Sequence, residues 1–293
     1  MRVDHNHVSE RRVIQRTRGY GHGPIVRLMS PSDFGQILKP FIFLDLFSFR
    51  ADQMGKMPIH PHSGIATVTV ITEGNVRFED VDSGTGYIGY GGVEWMRAGG
   101  GIWHGQEMSA GTSADIRGFQ LWVSLPPELE NGAVDSQYIE ADQIPTTGPA
   151  TVIVGSYGGV QSSVRSPEGL SYLLVTLEPG ETWEFDPPAG QDVAFIAMSR
   201  GAVSMPDIIE EGELAAITPG FRAMTISALG NTPAVFVLGA ARAHNHDLHM
   251  GQYSVHTSSA ALEKGERRIV ELGSALQAAG DRRQSSGASP VFR

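Results

Sequence analysis

The stretch Ile59–Gly74, IHPHSGIATVTVITEG, carries the two-residue apolar alternation of a strand and ends on a turn glycine. The same pattern returns without gaps at Asp186–Gly201 as DPPAGQDVAFIAMSRG. Alternation with period two places successive side chains on opposite faces of a sheet. VEWMRAGGGIWHGQE has a looser counterpart in LAAITPGFRAMTISA, and RGFQLWVSL has one in PAVFVLGAA. Segments repeated in this order predict one barrel-like β unit occurring twice. The 36 glycines and 17 prolines, with no low-complexity tract, favour many short strands over long helices. At 293 residues the chain can build a core in each of two units.

The N-terminal part reads as a lead-in, strand-like around Val13–Thr17 and apolar at PFIFLDLFSF (Pro40–Phe49). From Ala66 to Ser124 the signals are antiparallel: ATVTVIT alternates, Glu73-Gly74-Asn75 turns the chain, and VRFEDV alternates again. RGFQLWVSLP puts Phe119, Leu121, Val123 and Leu125 on one face, and Ala141–Ala150 reads as a linker. Beyond it, Ser171–Phe185 reads as a hairpin turning at Glu178-Pro179-Gly180, followed by a pair of strands turning at Arg200-Gly201. Ser258 or Ser259 is placed to cap a helix running to about Leu276, with Leu262, Ile269, Leu272 and Leu276 on its docking side. The expected division is residues 1–140 and residues 141–293, the second carrying the helix.

Composition narrows the partners. The formal charge is −10, and no basic stripe exists to displace counterions from phosphates, so direct nucleic-acid binding and an anionic membrane surface are not expected. No apolar run approaches the roughly 18 residues that span a bilayer, and MRVDHNHVSERRVIQR lacks the apolar core of a secretory signal. With no cysteine, disulfides, thiolate nucleophiles and sulfur ligands are excluded. Cytoplasmic residence is the resulting expectation.

Chemistry concentrates in the first copy. His60 and His62 share a strand face, with Pro61 stiffening the backbone between them. GGGIWHGQEM then brings His104 behind a triple-glycine bend that can return a strand toward the pair. Three neutral imidazoles suit one divalent transition metal, Fe, Ni, Cu, Mn or Zn, and leave positions for water or substrate. Gln106 falls on the face of His104 but brings no charge, whereas Glu107 has the right chemistry and needs a bulge to turn inward, so both stand as candidates for the fourth ligand. In the second copy Pro187 and Ala189 occupy the positions of His60 and His62, and Thr225 falls near that of His104; only the first copy can hold a metal. His5, His7, His244, His246 and His249 lie in apparent terminal or loop segments. Trp95, Trp103 and Trp122 read as core, and Glu79, Asp80 and Glu94 as strand residues facing solvent. There is no Ser-His-Asp order, dinucleotide loop or phosphate-loop lysine.

HPHSGIATVTVITEGNVRFEDVDSGTG, GGVEWMRAGGGIWHGQEM and GFQLWVSLP together closely resemble the pirins, of the cupin superfamily. The likeness runs from VIQRTRGYGHGPIVRLMSPSDF to the strand near Val235–Gly239, and DLHMGQYSVHTSSAALEKG is similar to a pirin-like branch. The resemblance implies an all-β bicupin, two antiparallel double-stranded β-helix barrels with a C-terminal helix, and a metal in the first barrel alone. It implies iron or another divalent ion on His60, His62 and His104, with the family's glutamate position falling on Gln106. The sequence departs from the pattern again at Ala66, where pirins frequently carry Glu. Two functions follow as expectations: a quercetin 2,3-dioxygenase-type oxidoreductase on a small aromatic or enolisable substrate, or a redox-sensing regulator acting through protein partners.

Overall fold

A computed structural model describes residues 10–54, 59–80, 83–105 and 107–278. It is an all-β bicupin, two antiparallel barrels packed face to face with a C-terminal helix. In the first barrel the main sheet runs Asp135–Ile139, Val93–Arg97, Ile65–Glu73, Asp115–Ser124, Phe41–Arg50, Ile25–Met29, Tyr20–His22. The second barrel repeats the arrangement around Leu214–Ile217, Val193–Arg200, Ala234–Ala241, Leu170–Leu177 and Ala150–Tyr157.

Both faces of each main sheet are buried. Val68, Val70, Trp95, Phe119 and Leu121 point toward the other barrel and share one core with Tyr172, Leu174, Phe195, Val235 and Val237. Phe41 meets Phe195 edge to face at 5.2 Å across that seam. The duplicated positions themselves touch there. Thr72 and Ser199, equivalent in the two copies, share a 2.7 Å hydrogen bond, and the next pair, Glu73 and Arg200, form a 2.8 Å ion pair. Equivalent residues meeting each other is what a two-fold relation between like surfaces requires.

The opposite faces diverge. In the second barrel Ala194, Ile196, Met198, Phe236 and Leu238 point inward and close on Phe185, Met205 and Ile226, an apolar filling. In the first barrel the equivalents of Ile196 and Ala215 are Thr69 and Glu94, a directly paired hydroxyl and acid. The first interior is therefore left polar and open.

Three sequence expectations change. Ser171–Phe185 is not a hairpin: Leu170–Leu177 pairs with Ala150–Tyr157 and Ala234–Ala241, whereas Thr182–Phe185 pairs with Met224–Leu229 in a separate four-stranded sheet. The turns at Gly74 and Gly201 are likewise corners that carry the chain between the sheets of a barrel. Gly74 takes φ +75°, and a Cβ there would meet the Asp115 carbonyl oxygen at 2.1 Å. The expected linker contains the 3-10 turn Ala141–Gln143 and the short strand Thr146–Thr147, paired with Ala150–Tyr157.

Both ends of the chain cross over. Val13–Thr17 adds an edge strand to the second barrel beside Leu214–Ile217. After Ala241 the chain returns to the first barrel, where Leu248 and Val255 join Ile42, Ile65, Met96 and Ile102 in a small core. The helix Ser259–Ala278 starts at Ser258, whose Oγ accepts from the Ala261 N–H at 3.2 Å, and buries Ile269, Leu272 and Leu276 as its periodicity predicts, with Gly265 buried beside them and Leu262 only half-buried. Trp103 Nε1 donates to the Ile269 carbonyl at 2.8 Å, fixing the helix beside Ile102–His104.

Phe236 fills the interior of the second barrel and is fully buried. Phe236→Ala is expected to lower stability in chemical denaturation by about 3–5 kcal/mol. Phe221→Ala, at a side chain 64% exposed, should change it by less than about 0.5 kcal/mol.

Candidate metal centre

The strand His60–His62 pairs antiparallel with Ile102–His104, setting His104 directly opposite His60 and Ile102 opposite His62. His104 thus reaches the pair from the adjacent strand of one ribbon, the return that the glycine bend allows. Ring centroids lie 4.8 Å apart for His60 and His62, 4.6 Å for His60 and His104, and 5.2 Å for His62 and His104. One nitrogen from each lies within 4.8 Å of the others.

The outward nitrogen of His62 is engaged: Nδ1 lies 2.9 Å from the Tyr253 carbonyl oxygen. A carbonyl only accepts, so Nδ1 carries the proton and Nε2 keeps its lone pair for the cluster. Burial, and then the neighbouring His60, push the His62 pKa down to about 3. Burial, with His62 and His60 beside it, holds His104 well below the usual imidazole range. Neutral imidazoles are the form that ligates metal. Among the described residues His104 Nε2 is buried with no hydrogen-bond partner, an arrangement that costs desolvation energy unless something binds it. These features fit a divalent transition metal held by the three histidines.

The site opens into a cavity of about 390 Å³ inside the first barrel. Strand alternation explains its lining: Phe43 and Asp45, Gln120 and Trp122, and Glu94 are the inward residues of three strands of the main sheet. Phe43 and Trp122 stack at 4.2 Å and 8°. The Arg27 guanidinium covers the far face of this wall, 3.9 Å from the Phe43 centroid, and is hydrogen-bonded to Asp45. The Trp122 ring meets His62 edge-on at 4.9 Å. Trp122 is therefore a cavity wall, whereas Trp95 belongs to the shared core as the sequence suggested.

Glu94 and Asp80 do not face solvent. Both are buried, and Glu94 lines the cavity with Oε2 accepting from Thr69 Oγ1 at 2.6 Å. Burial raises the Glu94 pKa to about 7, with the Glu107 and Asp80 charges adding to the rise and the Thr69 hydroxyl opposing it. The same three acids, after burial, hold the Tyr138 phenol well above its ordinary range. Glu79 is half-exposed and pairs with Arg77 at 3.4 Å.

Glu107 lines the cavity, and its two carboxylate oxygens accept from the Gly105 N–H at 2.9 and 2.8 Å. It stands outside the three-histidine cluster. Gln106 lies outside the described residues, as do His5 and His7. Ala66 points away from the cavity into the shared core, so a carboxylate at that position is not what this site lacks. His244 and His246 lie 5.0 Å apart in a separate groove beside Pro40 and Ser124. His249 Nδ1 meets Ser259 Oγ at the helix start. Sequence reasoning missed Glu94, which shares the polar face of the Thr-Val-Thr and Val-Glu-Trp alternation. It also missed the Tyr253 carbonyl, for which no sequence signal existed.

The family model described as Pirin matches residues 25–123. A pirin-like protein of Caulobacter vibrioides is 38% identical over 194 residues, 62% of this chain and 69% of its own length. The crystal structure of a quercetin 2,3-dioxygenase from Acinetobacter baumannii superimposes with a TM-score of 0.75 at 23% identity, covering 88% of this chain and 96% of that one. The bacterial pirin YhhW of Escherichia coli, solved in complex with nickel(II), gives 0.57 at 16% identity over 77% and 95%. At such identities the solved structures speak to the fold. Among the described residues no helix is long and apolar enough to cross a membrane.

Glu94 makes a pH prediction for the metal-free protein. Its carboxyl rises from an ordinary value of 4.5 to about 7, so the native state binds that proton more tightly than the unfolded chain. The resulting contribution to stability is full below pH 4.5 and is lost as pH rises through about 7. Glu94→Gln should therefore stabilise by about 2–3 kcal/mol at about pH 8 and by almost nothing at about pH 4, read from urea midpoints.

Proposed function

Because the chain belongs to the pirin family, we propose that its first barrel is a metal-dependent oxidoreductase site of the quercetin 2,3-dioxygenase type, acting on a small aromatic or enolisable substrate. The observation that carries this reading is the convergence of His60, His62 and His104 nitrogens within 4.8 Å, with His104 Nε2 buried and unpartnered among the described residues. His60, His62 and His104 hold one divalent transition metal, with iron the first candidate; nickel, which the related YhhW binds, copper, manganese and zinc are the others. Bound there, such an ion supplies Lewis acidity that lowers the pKa of a coordinated hydroxyl.

The chain's own residues do the rest. The stacked Phe43 and Trp122 rings give the cavity an aromatic side against which a small aromatic substrate packs. Phe49, Met54 and Met108 add apolar lining beside them. Glu94 is the proton acceptor: its carboxyl lines the cavity, anchored by the Thr69 hydroxyl that donates to Oε2, and takes the proton of a substrate hydroxyl. Glu107 shares the wall with the histidines, and its carboxylate, now accepting from the Gly105 N–H, would supply an oxygen ligand beside them.

Protein purified without an affinity tag and reconstituted with each metal should bind about one equivalent and consume oxygen with a flavonol. His104→Ala should lose both. Less than about half an equivalent with every metal contradicts the site, whereas metal binding without oxygen uptake contradicts the oxidoreductase and leaves a metal-binding regulator. Glu107→Gln should weaken metal affinity at least about tenfold while Tm without metal stays within a few degrees, read by competition with a chromophoric chelator.

A further inference from the structure

Directly beyond His62 the chain enters a buried polar cluster that the metal site does not explain. Ser63 Oγ lies 2.9 Å from His256 Nε2, and His256 Nδ1 lies 3.2 Å from Glu130 Oε2. All three residues are buried. The Glu130 carboxylate also accepts from the Thr257 N–H at 2.6 Å and the Thr257 hydroxyl at 2.7 Å. The hydroxyls of Ser63 and Ser254 are hydrogen-bonded at 3.0 Å, and the Val255 N–H donates to the Ser63 carbonyl at 3.3 Å.

Serine, histidine and glutamate in this order suggest a nucleophile, yet the packing denies it a substrate. A Cβ on Gly265 of the C-terminal helix would lie 2.4 Å from Ser63 Oγ and 2.6 Å from His256 Nε2. On the other side a Cβ on Gly64, at φ +75°, would lie 2.1 Å from the Val255 carbonyl oxygen. Two glycines therefore let strand, returning segment and helix close upon the histidine without leaving a cavity.

What the cluster does hold is the returning segment. Tyr253, immediately before Ser254, supplies the carbonyl that accepts from His62 Nδ1 at 2.9 Å. We propose that Ser63, His256 and Glu130 are positioning residues: they clamp the returning segment to the ligand strand, hold the Tyr253 carbonyl against His62, and so fix the tautomer and ring orientation of that ligand. The segment that returns from the second barrel thereby sets metal affinity in the first. This rests on the reading of His60, His62 and His104 as the metal site. Outer partners that orient ligating histidines usually change metal affinity about 10- to 100-fold when removed, and an effect of that size is expected here.

The test uses the full chain and cobalt(II) as the probe, read by its visible absorption. Ser63→Ala and Glu130→Gln each remove few atoms, and His256→Ala removes the link between them. Each variant should bind cobalt(II) about 10- to 100-fold more weakly, with shifted ligand-field bands, while far-UV circular dichroism is retained. Ser274→Ala, on the exposed side of the helix, should match the wild type. Folded Ser63→Ala and Glu130→Gln proteins with wild-type affinity and an unchanged spectrum overturn the clamp. Wild-type protein that fails to bind cobalt(II) overturns the metal site itself, and the clamp with it.

Discussion

The main sheet of the first barrel is buried on both faces, and the two faces meet different surroundings. Strand alternation sends Val68, Val70, Phe119 and Leu121 into an apolar seam shared with the second barrel. The same alternation sends Thr69, Glu94, Gln120 and Trp122 into the interior. A one-residue slip would exchange the two sets, burying Glu94 in the seam and emptying the cavity wall. The apolar seam therefore fixes the register, and the register fixes the chemistry. The histidine ribbon depends on it in turn, because Ala98 donates its N–H to the Ile65 carbonyl and Gly64 to that of Gly99 at the edge of the sheet.

Duplication shows how such a site is tolerated. The seam is built from equivalent residues that meet each other, as Thr72 meets Ser199 and Glu73 meets Arg200. The second interior is packed with apolar side chains. The first interior gives up that packing for buried acids and unprotonated histidines, each of which costs desolvation. Crossed chain ends tie the pair together: Val13–Thr17 completes the second barrel, while the returning segment and helix cover the histidine ribbon of the first.

Much of this is legible in the sequence. The H-x-H spacing and the glycine bend before His104 single out the three histidines that the fold brings together, because side-chain direction in a strand is fixed by spacing alone. Pro187 and Ala189 stand at the positions of His60 and His62 in the second copy. Glu94 escapes for a physical reason: alternation separates a polar face from an apolar one, but bulk water and an enclosed cavity look alike in it. Turn residues mark where a strand ends and are silent about its partner, so Glu178-Pro179-Gly180 reads as a hairpin although it is a corner between sheets. The Tyr253 carbonyl belongs to the backbone and leaves no signature, and Ser63, Glu130 and His256 are too far apart in sequence for any local pattern to join them.

The central claim is that imidazole nitrogens from both strands of one ribbon share a single cation. X-ray absorption fine structure of the zinc-loaded protein tests it most directly. Three imidazole nitrogens at about 2.0–2.1 Å, with the multiple-scattering features of histidine rings, are the expected shell. A shell of oxygen ligands alone, or one containing a single imidazole, would contradict the account.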